Sequence, residues 1–118
     1  MLKEKLIAKA EELGWKVQID EQMDGVDVNF YKYSPMGEDF GFNIYADSIE
    51  DVPDEVGKYY TYFDTEEHVE MWIEARRNGM RGVPSIKELV EDADAIDDML
   101  DKLSDALYEV YNEEEAEE

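Results

Sequence analysis

Leu2, Leu6, Ile7, Ala10 and Leu13 recur along one helical face, with Lys and Glu between them, and Gly14 stands where a helix ends in a left-handed residue. The pattern predicts a first helix ending at about Leu13. The period then shortens to two. Trp15, Val17 and Ile19 alternate with Lys16, Gln18 and Asp20; Val26, Val28 and Phe30 follow the Asp24-Gly25 turn; Phe40, Phe42 and Ile44 follow the Ser34-Pro35-Met36-Gly37 turn. Three strands joined by short turns predict an antiparallel meander. Its alternation sets Phe30, Phe42 and Ile44 on one face and Tyr31, Tyr33, Asn43 and Tyr45 on the other.

Helical spacing returns in the second half. Asp47 or Ser48 can cap a helix with Pro53 in its first turn and Val52, Val56, Tyr59, Tyr60 and Phe63 on one face. Lys58 to Asp64 is also rich in strand formers, so a fourth strand there is the alternative. Asp64 or Thr65 opens a further helix carrying Val69, Trp72, Ile73 and Arg76 on one side and closing at Asn78-Gly79. Behind Pro84, Ser85 and Glu88 form a capping box for a helix running from Ile86 to about Tyr111. Ile86, Ala93, Leu100 and Leu107 repeat every seven residues, as do Leu89, Ile96, Leu103 and Val110, giving one apolar stripe for the chain's own core or for a second copy. The fold class is therefore α+β: an N-terminal helix, a three-stranded antiparallel meander, then two or three helices including a long C-terminal one. Residues 1–112 read as one domain and 113–118 as a disordered acidic tail.

Composition alters this picture mainly through charge. The 118 residues carry 33 acids against 11 bases, a formal net charge of −22. Residues 1–46 hold nine acids and five bases, residues 47–118 twenty-four and six, so the acidity belongs to the helical half. Such a field repels nucleic acid and anionic membranes and attracts basic protein surfaces. With 43% hydrophobic residues the chain is unlike acidic disordered sequences and should fold. It has no cysteine, which excludes disulfides, thiolate zinc sites and a Cys nucleophile. The amphipathic N-terminus is no signal core, and no stretch approaches the roughly 20 apolar residues of a membrane span, so a cytoplasmic protein is expected.

On the long helix, Glu91, Asp94, Asp98, Asp101 and Asp105 share the face opposite the stripe, flanked by Asp92 and Asp97. The row spans roughly 21 Å, over which one strand of duplex DNA carries about six phosphates. Like charges at these spacings and the poor helix propensity of Asp both act against the helix, so stability alone would favour Glu-Lys pairs. Two readings follow: a solvated face that promotes solubility, or a surface that imitates phosphates. Divalent-cation binding is weaker, because carboxylates on a rod do not converge as calcium ligands do, and Asp20 to Gly25 fails as an EF-hand start at Gln22 and Tyr31.

Arg76, Arg77 and Arg81, the only arginines, cluster at a helix end. They complement the helix dipole or contact an acidic group or phosphate of a partner. Gly79-Met80-Arg81-Gly82 has the form of a GxxG loop, but the surrounding charge opposes RNA binding. His68 is the sole histidine, and Ser34, Ser48, Ser85 and Ser104 lack a nucleophile-elbow motif, so no catalytic residue, cofactor or metal is expected. Tyr31, Tyr33 and Tyr45 form a candidate second contact surface or are shielded by the protein's own loops.

In the order of its elements, with Trp15 to Ile19, Val26 to Tyr33, Phe40 to Tyr45 and the carboxylates of Glu91 to Asp105, the chain resembles small phage-borne anti-CRISPR and anti-restriction proteins. The resemblance covers roughly the whole chain, by layout and charge. It implies a non-enzymatic inhibitor that imitates nucleic acid against the basic surface of a nuclease or other nucleic-acid-binding protein; the helical spacing of the carboxylates makes Glu91, Asp94, Asp97, Asp98, Asp101 and Asp105 the expected contacts. The competing expectation is a non-catalytic interaction module or a homodimer through the long helix, with charge serving solubility. Adaptation to high salt fits less well, because the bases are mostly Lys and large hydrophobes are plentiful.

Overall fold

The computed structural model describes residues 1–34, 37, 39–77, 79 and 85–116, with backbone alone at 75–77. Helix α1 (Leu2–Glu12) leads into strands β1 (Lys16–Glu21), β2 (Val26–Tyr33) and β3 (Asp39–Ala46). A 3-10 turn (Ile49–Asp51) and helices α2 (Val52–Tyr62), α3 (Thr65–Arg77) and α4 (Ile86–Ala116) complete the α+β order. The strands form an antiparallel sheet in the order β1-β2-β3, with Val17, Phe30 and Phe42 in register and Tyr31 opposite Gly41.

The junction of α1 and the sheet shows how local chemistry fixes the layers. Gly14 takes φ 93°, a left-handed conformation that ends α1 and turns the chain into β1. Lys32, on the core side of β2, donates from Nζ to the Leu13 carbonyl at 2.7 Å and lies 5.7 Å from the Trp15 ring centre. Its charge thus meets the negative end of the α1 dipole and an aromatic face together. Trp15 precedes β1 and is fully buried, edge-on to Phe30 and Phe42 at 6.2 and 5.7 Å. Phe42 in turn stacks on Tyr59 of α2 at 4.3 Å. Such ring geometries add to what area burial alone contributes.

Residues 58–62 are helical, so the fourth strand is not formed. Val52 and Val56 of α2 are buried in the main core and Tyr59, Tyr60 and Phe63 pack against it. That face needs helical spacing to reach β3 and α4 together. Helix α3 starts where Asp64 Oδ1 accepts the N–H groups of Glu66 and Glu67 at 2.9 and 3.3 Å. At the start of α4, Ser85 Oγ accepts the Glu88 N–H at 3.3 Å and donates to Glu88 Oε1 at 2.9 Å. Parts of the Ser34–Gly37 and Asn78-Gly79 turns, and Pro84, lie outside the described residues.

Helix α4 departs from expectation at both ends. The stripe from Ile96 to Val110 is buried with α1, α2 and the sheet, while Leu89 and Ala93 join Val69 in a smaller cluster with α3. Ile86, however, is 56% exposed, because the stripe begins before α3 covers it. The helix also continues past Tyr111 to Ala116, so residues 113–116 are helical instead of a disordered tail. Lys5 of α1 binds Glu114 Oε2 at 2.6 Å and ties down this last turn. The chain's own elements thus bury the stripe from Leu89 to Val110.

Candidate functional site

Burial of the stripe turns the opposite side of α4 outward. Glu91, Asp94, Asp98 and Asp105 are exposed and Asp97 and Asp101 half-buried. Asp92, expected to flank the row, is instead 3% exposed and engaged within the fold, because its position lies beside the stripe. The ridge is therefore a row of carboxylates on a helix of 31 residues, about 46 Å long. One cation interrupts it among the described residues: Lys102 Nζ pairs with Asp98 Oδ2 at 2.9 Å. That exposed i, i+4 pair contributes little.

The ionisation of nearby groups registers the ridge's field. Partial burial raises the Asp97 carboxyl above the usual range, and Asp101, Asp94 and Asp98 add to the shift. Asp101, then slight desolvation, then Asp97 and Asp105 raise the Tyr60 phenol, which places α2 along one flank of the row. Further along, Tyr108 Oη donates to Asp54 Oδ1 at 2.6 Å, and this bond, with desolvation and the charge of Asp54, pushes the phenol up to about 12.

The second candidate surface is the outer face of the sheet, where Tyr31, Tyr33 and Tyr45 are exposed as the alternation required. Tyr31 lies over Gly41, and the Tyr45 hydroxyl approaches Gly25. Asn43 at the centre donates from Nδ2 to Asp27 Oδ1 at 2.7 Å and Asn29 Oδ1 at 3.0 Å, fixing a polar patch between the tyrosines. This face is separated from the α4 ridge by the core, so the two expected contact surfaces do not form one site.

Arg76 and Arg77 end α3, as the dipole argument needs, but their side chains, all of Arg81 and the rest of the GxxG segment after Gly79 lie outside the described residues. His68 sits in an aromatic setting, 6.4 Å from Phe40 and 5.8 Å from Phe63 between ring centres. Among the described residues no group of three or more His, Cys, Asp or Glu side chains could hold a metal ion, and no helix is long and apolar enough to cross a membrane.

Sequence reasoning missed the Tyr108–Asp54 bond, the place of Tyr60 beside the ridge, and an aromatic groove where α2 meets α3. The groove alone had a signal, the density of rings from Tyr59 to Phe63. No protein-family model matches the chain, and comparisons with curated proteins and with solved structures find no match.

Proposed function

We propose that this protein is a non-catalytic, cytoplasmic inhibitor of the anti-CRISPR or anti-restriction kind, which offers the α4 carboxylates in place of phosphates to the basic groove of a nucleic-acid-handling protein. The observation that carries this reading is the ridge itself. Glu91, Asp94, Asp98 and Asp105 remain exposed on one side of a helix whose other side is buried from Leu89 to Val110. The molecule is also elongated, 54 × 26 × 21 Å, with a radius of gyration of 15.9 Å where a compact chain of this length has about 13 to 14 Å. Complementary charge speeds association and selects partners whose grooves are lined with Lys and Arg.

The test is capture of nucleic-acid-binding proteins from a host lysate with and without duplex DNA, by the natural chain and by the variant Asp94→Lys, Asp98→Lys, Asp101→Lys. Duplex DNA should displace the captured protein, and the variant should fail to capture it. A partner that binds the variant undiminished and ignores DNA removes the mimicry reading. The exposed tyrosine face supports a second reading, an interaction module in which truncation of Tyr31 and Tyr45, and not the α4 reversal, abolishes capture.

A further inference from the structure

Where α2 ends and α3 begins, Tyr59, Tyr62, Phe63, His68 and Met71 line an open groove of about 360 Å³ that Asp64 and Glu67 also border. Its volume falls at the small end of ligand sites. Its walls are held from behind: Tyr59 stacks on Phe42 with the rings 13° apart, and Phe63 stands edge-on to Phe40 at 6.0 Å. Its rim is not protected, since Tyr62 is 83% and Met71 56% exposed, two large side chains left in water at one place. The acids are equally available. Asp64 is fixed by the two backbone N–H bonds that start α3, and neither Asp64 nor Glu67 forms an ion pair with a cation among the described residues.

Aromatic faces and unneutralised carboxylates around one opening attract a cation and repel an anion. We propose that the groove receives the guanidinium of an arginine side chain presented by a protein partner. Arginine fits better than lysine, because its planar, weakly hydrated head stacks on a ring while its N–H groups reach carboxylates. A partner protein fits better than a free small cation, because the groove is open along one side and the net charge of −22 draws basic surfaces to it. The site stands on the groove's own geometry. It holds whether or not α4 substitutes for a nucleic acid.

The experiment is an NMR titration of the natural chain with the blocked tripeptide acetyl-Gly-Arg-Gly-amide, following amide and aromatic resonances. The same titration uses peptides with lysine or the neutral isostere citrulline in place of arginine. Shifts should concentrate on Tyr62, Phe63, Glu67 and His68, be smaller with lysine and vanish with citrulline. Tyr62→Ala and Glu67→Gln, both at exposed positions that leave the fold intact, should each weaken binding about two- to fivefold. Citrulline shifting the same resonances, lysine binding as well as arginine, shifts confined to the α4 carboxylates, or undiminished binding by Tyr62→Ala would each overturn the assignment.

Discussion

The bond from Tyr108 to Asp54 joins α2 to α4 across 54 positions of sequence. Nothing in the local pattern announces it: Tyr108 occupies an outward position of α4, and Asp54 looks like one more acid in a helix's first turn. Tyr108→Phe keeps the ring and removes the donor. A hydrogen bond to a charged acceptor contributes about 1.5–3 kcal/mol when sheltered; with Tyr108 partly in water, a loss of about 1 kcal/mol in urea unfolding is expected. The sign of its pH dependence is fixed. The phenol is raised from 10.0 to about 12 in the folded state, so its contribution is complete below pH 10 and disappears as pH rises through 12. Natural protein should therefore lose stability across that alkaline interval, and Tyr108→Phe should lose correspondingly less. Equal alkaline losses in both proteins would show that the bond does not form.

Between elements, α2 comes close to α4 at Gly57. A Cβ there would stand 3.2 Å from Tyr108 Oη and 3.4 Å from Ser104 Oγ. Gly57→Leu should push the helices apart and cost about 1–3 kcal/mol, read as a lower urea midpoint with unchanged slope. An unaffected midpoint would mean that the crossing has room. The same element shows how much the sequence could tell. Seven of the eight stripe positions are buried as their spacing required, and the strand alternation sorts Phe30, Phe42 and Ile44 from Tyr31, Tyr33 and Tyr45 correctly. Periodicity states which face is apolar; it does not state how far a partner extends. Hence Ile86 is exposed, and α4 runs beyond Tyr111, where Lys5, over a hundred residues away, pairs with Glu114 in its last turn. The ridge was legible as spacing, but Asp92 was not legible as buried, since one position around a helix separates the outer row from the shoulder of the core. The aromatic groove required knowing that α3 folds back beside the rings that α2 carries.

For the molecule as a whole, the acidic excess acts against the fold that displays it. The Asp97 carboxyl is held above its ordinary range by partial burial and by Asp101, Asp94 and Asp98. A carboxyl raised in the folded state takes up its proton there at a pH where the unfolded chain remains ionised. Between its ordinary value and the raised one the folded state binds more protons, so stability increases as pH falls through that window. Glu114 has the opposite sign: its bond to Lys5 lowers it, so its contribution is present above the ordinary glutamate value and is lost as pH falls through the lowered one. Unfolding temperature should consequently climb as pH is reduced from 7 to about 4 and turn down below. Asp97→Asn should be more stable than the natural protein at pH 7 and should climb less on acidification, because the group responsible for part of the rise is gone. Added salt at pH 7 should raise the natural protein more than the variant, since screening relieves the same repulsion. Thermal melts across pH and ionic strength decide the matter, and identical pH profiles for the two proteins would show that the ridge is too well solvated to strain the fold. A climb confined to the natural chain would show instead that the half-buried Asp97 carboxylate is held in the ridge at a cost to stability.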